Sequence, residues 1–105
     1  MKDSLNIAIA GATGYIGLEL IEILSRHPKI KILYLCATKS LGKSIYKFDK
    51  RITNESLPKI SKIQNVDWRK INILFTALPN GQAQKIAKII PENIKFLLSD
   101  VWIKF

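Results

Sequence analysis

Three glycines recur at three-residue spacing, Gly11, Gly14 and Gly17, directly after the apolar run Ile7-Ala8-Ile9-Ala10. Their chemistry would be anion binding. A phosphate needs several backbone N–H groups aimed at it and no side chains in the way. Glycine tolerates positive φ and lets a ligand approach the main chain, and a helix opening at that point presents its amides and partial positive charge. Gly11 would make the turn, Gly14 would allow close approach, and Gly17 would let a helix lie close to the strand. The amides of Thr13, Gly14, Tyr15 and Ile16 are the expected donors, with the Thr13 hydroxyl as a further one. A tight turn with packing glycines and no ligand is the plainer alternative. The context argues against it, because the triplet ends a buried strand and starts an amphipathic helix.

A second group follows the next apolar run. Dinucleotide sites that accept a free ribose place Asp or Glu at the end of the second strand. Here that segment is Cys36-Ala37-Thr38-Lys39-Ser40-Leu41-Gly42-Lys43, which holds no acid. Thr38, Lys39 and Ser40 offer hydroxyls and a cation, which suit a 2′-phosphate. NADP(H) is therefore the expected cofactor. Lys43 reads as a solvated loop lysine.

The lone cysteine and lone histidine could in principle form a nucleophile and base. Cys36 falls in a strand that reads as buried, with no helix N-terminus or base to lower its pKa. His27 falls at a helix end before Pro28, where an imidazole meets terminal carbonyls. Neither is assigned a catalytic role, and no residue set has metal-ligand spacing. Trp68 and Trp102 read as packing residues.

These groups need elements to position them. Residues 6–10 read as a buried parallel strand. Residues 15–27 read as a helix, with Ile16, Leu20, Ile23, Leu24 and His27 on one face and Glu19, Glu22 and Arg26 on the other; Pro28 stops it. Residues 31–37 form a second strand. Residues 38–57 read as a long basic loop, with a short edge strand near 59–63. Asp67 caps a turn at Trp68-Arg69-Lys70. Residues 71–77 form a further strand, Pro79-Asn80-Gly81 a turn, 82–90 a helix and 94–98 a last strand. Strands alternating with helices imply parallel βαβ units. The expected fold is α/β, a doubly wound parallel sheet of the Rossmann kind, in one domain over 1–105. A full sheet of that kind has about six strands, so four or five predict an architecture incomplete at the C-terminus.

The chain has 105 residues, 48% hydrophobic and 24% charged, which fits a globular domain rather than a disordered segment. No apolar run approaches the roughly 18 residues of a membrane span, and the N-terminus shows no secretory signal. A single cysteine excludes an internal disulfide. The cytoplasm is the default compartment. The net charge of +9 is carried mostly by lysines spread from Lys2 to Lys104. With no helix-turn-helix, aromatic platform or finger spacing beside it, the charge does not read as a nucleic-acid face.

The stretch Gly11–Pro28 resembles the opening of N-acetyl-gamma-glutamyl-phosphate reductases. Tyr15 between the glycines and the run Leu20-x3-Leu24-x2-His27-Pro28 carry the likeness more than the glycines do. Ala37–Lys43 resembles the family's 2′-phosphate segment, and Phe75-Thr76-Ala77-Leu78-Pro79-Asn80-Gly81 its turn beside the cofactor. Ser99 matches a later family position, and the residues after it depart from the family's run. Aspartate-semialdehyde dehydrogenase, with a similar glycine start, is the nearest rival, and a stand-alone dinucleotide-binding module is another.

The resemblance implies NADPH held by Gly11, Thr13, Gly14, Tyr15, Ile16 and Gly17 at the pyrophosphate. It implies Thr38, Lys39 and Ser40 at the adenosine end, and Ala77, Leu78, Pro79 and Asn80 on the nicotinamide side. It also implies an acyl-phosphate substrate, attacked by a cysteine in a substrate domain beyond these residues, and a homo-oligomer when complete. No nucleic-acid or membrane partner is implied.

Overall fold

The computed structural model describes residues 4–54, 56–78, 82, 85, 86 and 88–98, the last four through their backbone alone. Five parallel strands make one sheet: β1 Leu5–Ala10, β2 Ile30–Cys36, β3 Ile60–Ser61, β4 Ile73–Thr76 and β5 Lys95–Leu98. Their order is β3-β2-β1-β4-β5. The chain builds outward from β1 to β3, then returns to the other side of β1. That reversal between β2 and β4 is the topological switch point of a doubly wound sheet, where ligands bind beyond the carboxyl ends of the strands.

β1 is central because both its faces are apolar. Ile7 and Ile9 point to one face and Ala8 and Ala10 to the other, as the two-residue period requires, and all four are buried. The first face packs under the helix α1, Tyr15–Leu24. The second packs with Cys36, Val66, Ile71, Leu74 and Ile94, flanked by Trp68 and Ile86. In β2 the parity slips. The pairing runs Ile7↔Ile32, then Ala8↔Tyr34, so one residue bulges out. Ile32 and Leu35, an odd number of positions apart, therefore both reach the α1 face.

α1 ends at Leu24, earlier than the expected His27. Its buried residues are Gly17, Leu20 and Ile21, with Leu24 packed beside them. Ile21 is fully buried and Ile23 is 57% exposed, so the apolar stripe runs one position away from the expected phase. Gly17 is what decides this, because a residue without a side chain presses closest to the chain beneath it. Glu22 and Arg26 do form their ion pair, at 3.1 Å.

The long basic loop carries a 3-10 turn, Ile45–Lys47, whose Ile45 is buried in the first cluster. Arg51 ties this loop to α1 through Glu19 at 3.2 Å while also holding Asp49 at 2.6 Å. The edge strand expected near 59–63 is β3. Asp67 caps Trp68–Lys70 by accepting the Arg69 amide, as expected. Of the helix expected over 82–90, Gln82, Lys85 and Ile86 are helical, whereas Lys88, Ile89 and Ile90 form a turn and a bend, so the helix stops short of Ile90. The turn at Pro79-Asn80-Gly81 lies outside the described residues, as do Ser99 and Trp102.

Candidate functional site: a crevice at the switch point

The carboxyl ends of β1, β2 and β4 converge on one crevice of about 640 Å³. The loop after β1 forms its floor. Gly11 adopts φ +79°, a conformation open to glycine at little cost. Its amide and that of Ala12 both donate to the Cys36 carbonyl, at 2.9 and 3.0 Å, which pins the loop to the end of β2. The Gly14 amide donates back to the Gly11 carbonyl at 3.1 Å. Gly14 is therefore a turn donor and not a ligand donor, contrary to its expected place among the phosphate-facing amides. Its φ of −77° is also unremarkable, so no left-handed conformation demands glycine there.

The three glycines have separate reasons to be glycine. A Cβ on Gly11 would lie 2.9 Å from the Ala77 carbonyl oxygen. A Cβ on Gly17 would overlap the Gly11 carbonyl oxygen, which makes Gly17 a packing residue between helix and loop. A Cβ on Gly14 would meet nothing closer than 3.5 Å. Within the chain that space is open, and Gly14 is exposed on the crevice wall. An approaching ligand is what a side chain there would obstruct.

α1 begins at this point with Gly14 as its N-cap and no side chain capping it. The amides of Tyr15 and Ile16 have no intrahelical acceptor. With the Thr13 amide they form an uncapped donor set, and the half-buried Thr13 also lines the crevice. A cradle that glycine keeps open and an uncapped helix end fit a pyrophosphate.

Of the residues expected from the sequence, Gly11, Thr13, Gly14, Thr38, Ala77 and Leu78 line this one crevice. Tyr15 projects away, 85% exposed, and Ile16 packs against the core, so both can serve only through their amides. Lys39 and Ser40 lie outside the lining. Ser40 takes φ +62° in the turn that leads to Gly42, whose amide donates to the Ile60 carbonyl. Pro79 and Asn80 fall outside the described residues.

Sequence reasoning missed Lys62, Ile63 and Gln64 on the wall after β3, and Gln82, Lys85 and Ile86 on the wall after β4. Their signal is the sheet order, which no local pattern carries. Among the described lining residues there is no carboxylate and there are two lysines, Lys62 and Lys85.

Cys36 also lines the crevice, as the buried last residue of β2. Burial pushes its thiol up to about 11, against a smaller opposing effect of the Ser61 hydroxyl. It is a protonated wall residue at neutral pH. His27 precedes the start of β2, at the opposite end of the sheet. A strand of seven residues separates the two by roughly 20 Å. The exposed His27 accepts the Lys29 amide through Nδ1 at 3.1 Å, in place of the expected contact with helix-terminal carbonyls. The helix simply ends too early for that contact.

A switch-point crevice, a glycine-kept cradle and a wall without a carboxylate among the described residues fit a dinucleotide-binding α/β domain. Residues 6–98 match the family model described as semialdehyde dehydrogenase, NAD binding domain, and the chain belongs to that family.

An N-acetyl-gamma-glutamyl-phosphate reductase of Ehrlichia ruminantium is 37% identical over 99 residues, which are 93% of this chain and 28% of the relative. Among solved structures, aspartate semialdehyde dehydrogenase II of Vibrio cholerae, complexed with ASA, superposes with a TM-score of 0.72 at 26% identity, over 90% of this chain and 30% of that one. The Candida albicans aspartate semialdehyde dehydrogenase with NADP shares the fold, with a TM-score of 0.71 at 24% identity over 90% and 29% of the two chains. The chain thus spans under a third of the length of the proteins it matches.

Proposed function

We propose that this chain is the NADP(H)-holding part of an enzyme that reduces N-acetyl-gamma-glutamyl phosphate to the corresponding semialdehyde. The observation that carries the cofactor reading is the crevice itself: a cradle that only glycine keeps open, an uncapped helix start, and a wall with no described carboxylate. The substrate rests on the Ehrlichia ruminantium relative, which is 37% identical where the Vibrio cholerae aspartate-semialdehyde structure is 26%. The second of these activities is therefore the alternative.

In this reading the amides of Thr13, Tyr15 and Ile16 hold the pyrophosphate. Gly11 shapes the turn, Gly14 leaves room for the anion, and Gly17 seats the helix. Thr38, with Lys39 and Ser40 on the adjoining turn, serves the adenosine end. Ala77, Leu78, Pro79 and Asn80 border the nicotinamide. When bound, the cofactor supplies a hydride to an acyl carbon. This chain's residues bind and orient it and add no nucleophile, since Cys36 is held as a thiol and His27 stands at the far end of the sheet. A cytoplasmic setting and a homo-oligomeric complete protein rest on the family alone.

Isothermal calorimetry on the chain with NADP(H) and NAD(H) tests the reading. Tighter binding of the phosphorylated cofactor is expected. Equal affinities would remove the NADP assignment, and no binding of either would remove the dinucleotide reading.

A further inference from the structure

We infer that Lys62, on the turn after β3, is the residue that discriminates for the 2′-phosphate at the adenosine end. The inference rests on the reading above that the crevice takes a dinucleotide.

The sheet order supplies the argument. β1 stands between β2 and β4, so the cradle after β1 sits mid-crevice and takes the pyrophosphate. The two lining lysines then lie on opposite sides of it. Lys62 follows β3, beyond β2, and Lys85 follows β4. The end of β2 is where such folds hold the adenosine ribose. Cys36 pairs with Ser61, and the Ala37 amide donates to the Ser61 carbonyl at 3.1 Å. Lys62 therefore leaves the sheet level with Ala37 and Thr38, one strand spacing of about 4.8 Å away.

Thr38 and Lys62 share the crevice wall, whereas Lys39, next in sequence to Thr38, is not among its lining residues. Lys62 is exposed and, among the described ion pairs, has no carboxylate partner. Its ammonium is free to meet a dianion. The Thr38 hydroxyl can donate to the same group from the facing strand end.

Replacing Lys62 should act on one cofactor and spare the other. Lys62→Ala is expected to lower affinity for NADP(H) by about tenfold to a hundredfold, the range for a hydrogen bond to a charged group, with NAD(H) affinity unchanged. Lys62→Arg should retain the preference and Lys62→Glu should reverse it, because a carboxylate suits the free ribose hydroxyl. In the unsubstituted chain, NADP(H) but not NAD(H) should protect Lys62 from amine acetylation, read by mass spectrometry. That arm needs no variant to fold.

Equal loss of both cofactors in Lys62→Ala would overturn the inference, as would loss of the preference in Lys39→Ala but not in Lys62→Ala. In either case the dinucleotide reading would stand. If the unsubstituted chain binds neither cofactor, that reading falls and the inference with it.

Discussion

Gly14 and Gly11 sit three residues apart and should fail in different ways when replaced. Gly14 has ordinary dihedrals and 3.5 Å of clearance for a Cβ. Gly14→Val is therefore expected to remain folded, with only the modest stability loss of a poorer N-cap, and to lose NADP(H) binding. Retained binding in calorimetry would mean that no ligand comes close at this point. Gly11→Ala meets a φ of +79° and the Ala77 carbonyl at 2.9 Å. The left-handed conformation alone costs roughly 1–2 kcal/mol, and the contact adds to it. Urea unfolding should show the loss whether or not cofactor is present.

Cys36 is the other residue with a measurable signature. Its pKa rises from 9.0 to about 11 on folding. Between those values the folded chain binds the proton more firmly than the unfolded one. The stabilising effect is thus complete below pH 9 and is lost as pH rises through 11, a change of about 3 kcal/mol. Comparing urea midpoints of the chain and of Cys36→Ala across that range separates this effect from lysine titration. A thiol of this kind should also resist iodoacetamide at pH 7.5 until the chain unfolds.

At the scale of the element, α1 carries a clear contrast. Ile21 is fully buried beneath the helix and Ile23 is 57% exposed. Ile21→Ala should cost about 2–4 kcal/mol through the cavity it leaves. Ile23→Ala should cost less than about 1 kcal/mol, as surface changes do. A larger loss for Ile23→Ala than for Ile21→Ala in chemical denaturation would mean that the helix sits in the rotation expected from sequence. The helical period was legible in residues 15–27, but its phase was not. Every rotation of α1 offers the sheet some isoleucine or leucine, and the contact of Gly17 with the Gly11 loop selects one. The strands were easier. Their β-rich runs and bounding turns are local, and each expected strand has its counterpart within a few residues.

For the whole molecule, β5 is the relevant boundary. Among the described residues it pairs only with β4, so its outer backbone edge is free to pair with another chain. We expect concentration-dependent association of the isolated polypeptide, visible by light scattering, and no NADPH oxidation with acyl phosphate. Joining it to a substrate domain of the family should restore solubility before activity. Turnover by a soluble monomer, abolished by Cys36→Ser, would overturn both expectations and the placement of Cys36 as a wall residue.

The sequence by itself determined the order of elements, the parallel α/β class and the cradle after the first strand. All three are written in short-range terms: continuous apolar runs, glycine at a turn, proline after a helix. It also showed that no acid follows the second strand. The tertiary structure decided which residues face the crevice. Lys62 is distant from Thr38 along the chain, yet both emerge from adjacent strand ends. Lys39, one residue from Thr38, is not among the lining residues, and the loop beyond it bends back to β3 through Ser40 and Gly42. Proximity there is set by strand order and by the direction in which each loop leaves the sheet, both of which depend on long-range backbone pairing.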